Sequence, residues 1–80
     1  MFESILLVED DSNSRKGLTQ FLQALDYDVI TAANGREGFD LFKEENPDLV
    51  IADIRMPEMD GVTLLEKIRE EKPSAKVILL

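Results

Sequence analysis

Three acidic residues stand directly after two apolar runs of the chain. Glu9 and Asp10 follow the run that ends at Val8, and Asp53 follows residues 49–52. Carboxylates held close together repel one another unless a proton or a cation compensates their charge. Oxygen ligands without His or Cys suit a hard cation, and Mg2+ is the natural candidate because it keeps positions for water and phosphate. A carboxylate beside such a cation can also act as a nucleophile and form an aspartyl phosphate.

These acids also have a structural interpretation. An acidic stretch after a strand can be a solvated turn, with Asp11 or Ser12 capping a helix, because Asp favours helix N-termini. The second run that ends in an acid, at Asp53, favours a shared site over this alternative. Asp60-Gly61 is expected to be an N-cap and turn, and Met56 a packing residue.

Short apolar runs predict four strands, over residues 4–8, 27–31, 49–52 and 77–80. Three helices are predicted between them. The first is capped by Ser12 or Asn13 and continues to about Leu25. The second follows the turn signal Asn34-Gly35 and ends near Asn46, and the third starts at Asp60-Gly61 and is stopped by Pro73. The order βαβαβαβ with short connections predicts an α/β fold with a parallel sheet and helices on its faces.

Apolar residues spaced three and four apart predict the buried faces of the helices. The residues expected to face the core are Leu18, Phe21, Leu22 and Leu25 in the first helix, Phe39 and Phe42 in the second, and Val62, Leu65 and Ile68 in the third.

The strand order decides whether the acids meet. In the order 2-1-3-4, the first and third strands are neighbours and their carboxyl ends share an edge, so Glu9, Asp10 and Asp53 converge. Ligands of open α/β sheets bind at that edge, where the winding direction reverses. The sequence alone does not fix this order.

Composition excludes several classes of function. A chain of 80 residues forms at most one domain, and a net charge of −8 argues against direct nucleic-acid binding, which depends on basic phosphate contacts. The absence of cysteine excludes a disulfide framework and a thiolate metal site. With no signal peptide and no apolar run long enough to span a bilayer, we expect a cytoplasmic protein without membrane contact.

The stretches VEDD and DIRMPEMDG, with Asp53 at the head of the second, resemble the receiver domain of two-component response regulators. The resemblance covers the whole chain and implies a flavodoxin-like, doubly wound parallel sheet in the order 2-1-3-4. It also implies a phosphoacceptor that works in a phosphorelay with a sensor histidine kinase. Such a domain is a substrate and a switch, with at most slow self-dephosphorylation, and is not an enzyme.

By this resemblance, Asp53 is the phosphoacceptor. Glu9 and Asp10 hold Mg2+ together with Asp53, and the backbone carbonyl of Arg55 is a further ligand. Two more residues, Pro57 and Gly61, shape the loop after the third strand.

The chain also departs from the family, whose complete domain has five strands and five helices. Residues 1–80 are therefore expected to be the N-terminal part of a receiver, lacking the fifth strand and the last two helices. The switch Ser or Thr and the phosphate-binding Lys would lie beyond Leu80. We expect an apolar patch at Val50 or Ile51 and in residues 77–80, beside an unpaired fourth-strand edge, and hence self-association.

Two other classes of function remain. A magnesium-dependent phosphohydrolase with an aspartyl nucleophile requires Asp-x-Asp after the first strand, whereas this chain has Glu-Asp-Asp. A truncated receiver fragment could also act only as a folding or assembly module without phosphorylation activity.

Overall fold

The computed structural model describes residues 3–80, so Met1 and Phe2 of the predicted domain lie outside the described part. Four strands alternate with three helices. The elements are β1 (Ser4–Val8), α1 (Ser12–Ala24), β2 (Asp28–Ala32), α2 (Gly35–Glu45), β3 (Leu49–Ala52), α3 (Gly61–Glu71) and β4 (Val77–Leu79).

The strands form one parallel sheet in the order β2-β1-β3-β4, which confirms the predicted order and the doubly wound α/β fold. Leu6 of β1 lies beside Val50 of β3, and Val50 lies beside Val77 of β4. Because β1 and β3 are direct neighbours, the residues that follow them emerge at the same edge of the sheet.

Side chains alternate between the two faces of the sheet. On one face, Leu6, Val8 and Val50 pack with the buried residues of α2 and α3, including Leu64 and Ile68, to form the main core. On the other face, α1 packs on β1 and β2. The two helical layers therefore bury the central strand β1 from both sides.

Each helix begins at a side-chain cap that satisfies a backbone amide at its open end. Asp11, Asn34 and Asp60 accept hydrogen bonds of 2.8 Å from the amides of the residues three positions later. The predicted cap of the third helix, Asp60, is confirmed. For the first helix the sequence left Asp11, Ser12 and Asn13 open as caps, and the structure shows Asp11 in that position. At the end of α2, Asn46 adopts a left-handed conformation with φ 47° and Pro47 follows.

Several predicted core residues are corrected by the structure. Phe21 and Leu25 are 61% and 54% exposed, because Leu22 is the buried residue of α1 and the helix buries a narrower stripe than the spacing predicted. Val62 is 48% exposed, because Leu64 and Ile68 form the buried face of α3. Phe42 and Met56 are buried as predicted.

The expected apolar patch is present on part of the predicted stretch. Val50 is buried in the core, whereas Ile78 and Leu80 are 47% and 56% exposed. Ile51 is partly buried and lies beside Ile78, so these residues share the sheet face on which α1 packs. Within residues 3–80, no helix is long and apolar enough to cross a membrane.

Candidate functional site

Three carboxylates meet at the carboxyl edge of the sheet. Glu9, Asp10 and Asp53 each offer an oxygen atom, and these atoms all lie within 4.8 Å of one another. Glu9 is buried, Asp53 is partly buried and Asp10 is exposed, so the cluster lies at the rim of the core and opens to solvent. The structure thus brings together the acids that the sequence placed after the first and third strands.

Backbone hydrogen bonds continue the sheet by one residue and fix where these acids begin. The Asp53 amide donates to the carbonyl of Val8 at 3.0 Å, and the Glu9 amide donates to the carbonyl of Ala32 at 3.1 Å. Glu9 is therefore tied to the end of β2, and Asp53 is tied to the end of β1.

The electrostatics of the cluster disfavour negative charge on Glu9. Burial raises the pKa of Glu9 above its ordinary value, and a hydrogen bond from the Asp11 amide to its carboxylate acts in the opposite direction. The neighbouring carboxyl groups of Asp10 and Asp53 raise this pKa further. A cation bound among the three carboxylates would offset the part of this pKa shift that Asp10 and Asp53 cause.

The loop after β3 is shaped around Asp53. The Arg55 amide donates to Asp53 Oδ1 at 3.1 Å, which places the peptide of Arg55 beside the carboxylate. The Met59 amide donates to the carbonyl of Pro57 at 2.8 Å across Glu58, whose φ is 69°. Pro57, Glu58 and Met59 thus form a tight three-residue turn of the rarer form, in which the central residue has a positive φ. The ligand role of the Arg55 carbonyl stays a prediction.

Gly61 allows α3 to begin directly against the backbone of Asp53. Its amide donates to the carbonyl of Ile54 at 3.0 Å, and a Cβ atom at this position would lie 2.5 Å from the carbonyl oxygen of Asp53. Any larger residue would have to move the segment that carries Asp53. This contact gives the predicted shaping role of Gly61 a physical basis.

One contact at the site was missed by the sequence reasoning. The Arg15 side chain, on α1, donates from Nη1 to the backbone carbonyl of Glu9 at 2.8 Å. The only signal in the sequence is a basic residue one helical turn after the acids. Every residue has a backbone carbonyl, so the residue types do not show which carbonyl Arg15 binds.

The sequence of the chain matches a known protein family. The model of the response regulator receiver domain family matches residues 5–80. The chain is 43% identical over 76 residues to the transcriptional regulatory protein GlrR of Escherichia coli, covering 95% of this chain and 17% of that protein. It spans about a third of the length of other curated relatives.

Solved structures give the same result. The response regulator TrrA of Thermotoga maritima, solved with Mg2+ and BeF, superposes with a TM-score of 0.93 at 43% identity, covering 96% of this chain and 67% of that chain. TrrA in complex with the histidine kinase ThkA superposes with a TM-score of 0.91 at 43% identity, covering 96% of this chain and 66% of that chain. From its sequence match, its strand order and its acidic edge, this chain belongs to the family of response regulator receiver domains.

Proposed function

We propose that Asp53 accepts a phosphoryl group from a phosphohistidine of a sensor histidine kinase, with Mg2+ held by the surrounding oxygens. The observation that carries the proposal is the convergence of Glu9, Asp10 and Asp53 within 4.8 Å at the edge where β1 and β3 end. The similar protein TrrA was solved both with Mg2+ and BeF and with a histidine kinase, which supports the proposal.

The donor set fits Mg2+. Its side-chain ligands would be the carboxylates of Glu9, Asp10 and Asp53, and the Arg55 carbonyl would be a further ligand. All are hard oxygen donors, which this ion prefers. Burial and, to a smaller extent, the neighbouring carboxyl groups of Asp10 and Asp53 raise the pKa of Glu9, and a bound cation would offset the contribution of those two groups. When bound, Mg2+ offsets the charge of the phosphoryl group as it is transferred.

In the proposed step, a carboxylate oxygen of Asp53 attacks phosphorus. A P–O bond to Asp53 forms as the P–N bond of the phosphohistidine breaks, and the electron pair of that bond returns to the imidazole nitrogen. Arg55 orients the carboxylate through its amide, which donates to Oδ1. The chain is thus a phosphoacceptor and switch, with slow self-dephosphorylation at most. A cytoplasmic location belongs to the same proposal, because the kinase draws on ATP.

We propose further that residues 1–80 are the N-terminal part of a receiver domain, because they align with only about two-thirds of the TrrA chain. With its net charge of −8, this segment is not proposed to bind nucleic acid directly.

Self-association of the 80-residue chain is also proposed. β4 forms an edge of the sheet, and the exposed Ile78 and Leu80 lie next to that edge. Light scattering over a range of concentrations tests this. Ile78→Ser should lower the average mass, whereas Val62→Ser, which changes an exposed apolar residue on α3, should leave it unchanged. A monomeric parent at all concentrations would contradict the proposal.

The phosphoacceptor proposal is tested by intact mass after incubation with acetyl phosphate, with and without Mg2+. The parent should gain one phosphoryl group only with Mg2+, and Asp53→Asn should gain none. Asp40→Asn removes an equal charge from the exposed face of α2 and should react like the parent. Mg2+ binding without any adduct would contradict the proposal and favour an assembly module.

A further inference from the structure

Arg15 connects helix α1 to the strand end that carries the acids. Its guanidinium Nη1 donates to the carbonyl of Glu9 at 2.8 Å, in a partly buried position. A hydrogen bond from a charged donor is shorter and stronger than one between neutral groups. The bond spans the whole β1–α1 connection, and this connection contains Glu9, Asp10 and Asp11.

Arg15 is itself held in place by α1. Its amide donates to the carbonyl of Asp11 at 2.9 Å, and its own carbonyl accepts a hydrogen bond of 2.7 Å from the Thr19 hydroxyl. Asp11 in turn caps the helix through the Ser14 amide. The guanidinium therefore links the ordered first turns of a helix to the strand end that carries the acids.

Glu9 is restrained at each of its polar groups. Its amide donates to Ala32, its carboxylate accepts from the Asp11 amide at 3.2 Å, and its carbonyl accepts from Arg15. The first two bonds fix the strand end and the carboxylate. The third fixes the peptide that joins Glu9 to Asp10, and the orientation of this peptide sets where the Asp10 carboxylate begins.

We infer that Arg15 is a positioning residue for the cation site, which orients the Glu9–Asp10 peptide so that both carboxylates converge with Asp53. This inference rests on the proposed function. Replacing Arg15 would have two effects of opposite sign on the affinity for Mg2+. The positive charge of Arg15 opposes a nearby cation, so removing charge alone strengthens Mg2+ binding, whereas losing the hydrogen bond weakens it. Residues that orient metal ligands typically change metal affinity by tenfold or more when replaced.

The test is a calorimetric Mg2+ titration of the parent, Arg15→Gln and Lys16→Gln. Lys16 is exposed on the same helix, so its replacement removes the same charge without changing the bond to Glu9. Arg15→Gln should bind Mg2+ about tenfold more weakly than Lys16→Gln. Equal affinities for these two variants would overturn the inference.

Two further measurements separate positioning from general stability. The 13C resonance of the Glu9 backbone carbonyl should shift in Arg15→Gln and stay in place in Lys16→Gln, and an unchanged resonance in both would overturn the inference. Arg15→Lys keeps a charged donor and should bind Mg2+ with an affinity between those of the parent and Arg15→Gln. Binding by Arg15→Lys that is weaker than by Arg15→Gln, with the Glu9 carbonyl resonance of Arg15→Lys at its parent position, would also overturn it. Arg15→Lys serves as the test variant if Arg15→Gln does not fold.

The outcomes distinguish this inference from the function on which it rests. If the parent binds Mg2+ and accepts a phosphoryl group while Arg15→Gln keeps the affinity of Lys16→Gln, only the role of Arg15 is refuted. If the parent does not bind Mg2+, the proposed function fails and the inference fails with it.

Discussion

Replacing Asp53 with Asn should stabilise the metal-free protein. Asn has the shape of Asp, and its side-chain oxygen can still accept the hydrogen bond from the Arg55 amide. The substitution therefore removes one negative charge from the cluster and little else. The nearest oxygens of the three acids lie within 4.8 Å of one another, so Asp53 is repelled by both Glu9 and Asp10.

The size of the effect follows from that distance and from burial. Two unit charges 4.8 Å apart repel by about 0.9 kcal/mol in water and by about 3.5 kcal/mol at an effective dielectric constant of 20. The repulsion of Asp53 by exposed Asp10 is near the lower value. Its repulsion by Glu9, which is 8% exposed, lies between the two values. With allowance for screening by salt, the free energy of unfolding should rise by about 2 kcal/mol, which raises Tm by about 10 °C in a domain of this size.

The assay is thermal unfolding followed by circular dichroism at low ionic strength with a chelator present. Asp40→Asn is the matched control, because it removes the same charge from an exposed site on α2. The gain from Asp53→Asn should shrink in concentrated salt, which screens the repulsion. By the proposed function it should also shrink with Mg2+, because a ligand that binds the folded parent stabilises it. Equal stability of Asp53→Asn and Asp40→Asn at low ionic strength would refute the reasoning.

Three further predictions concern the elements that hold the site. Gly61→Ala should destabilise the fold by about 1–3 kcal/mol in chemical denaturation, because its Cβ would meet the carbonyl of Asp53, whereas Gly17→Ala, in open space, should be neutral or stabilising. The hydrogen bond from the Thr63 amide lowers the pKa of the Asp60 carboxyl below its ordinary value of 3.8. The stability that the ionised carboxyl gives to the fold is therefore present above pH 3.8 and is lost as the pH falls through the lowered pKa. In Asp60→Asn, which caps without titrating, the denaturation midpoint should therefore fall less steeply in acid, and an equal slope would contradict this. Ile68→Ala should cost about 2–5 kcal/mol, because the side chain is fully buried, and a cost below about 1 kcal/mol would contradict its place in the core.

The sequence predicted strand positions best where an apolar run ends in an acid. Residues 4–8 and 49–52 form strands as predicted, since both runs are short and end abruptly. The second strand begins at Asp28 instead of Tyr27, because the Tyr27 amide donates to Leu22 and belongs to the turn that ends α1. This hydrogen bond depends on how the helix ends, which residue types alone do not determine.

Choices between neighbouring residues of similar type were less predictable. Asp11, Ser12 and Asn13 can all cap a helix, and the position of the Ser14 amide selects Asp11. In α3, adjacent Leu64 and Leu65 allow two apolar stripes, and packing against the sheet selects the one that contains Leu64. Tertiary contacts decide both cases.

The convergence of the acids depended on strand order, which the sequence supplied only through its resemblance to a family. With that order, the meeting of Glu9, Asp10 and Asp53 follows from parallel pairing of β1 with β3. The bond from Arg15 to the Glu9 carbonyl was not predictable in this way, because it depends on the path of one connection.

The most direct test of the phosphoacceptor proposal is to locate the phosphoryl group. After incubation with acetyl phosphate and Mg2+, borohydride reduction converts an aspartyl phosphate to homoserine, which peptide mass spectrometry can place in the chain. We predict homoserine at position 53 in the parent and at no position in Asp53→Asn. Homoserine at another acid, or at no position in the parent, would contradict the proposed role of Asp53.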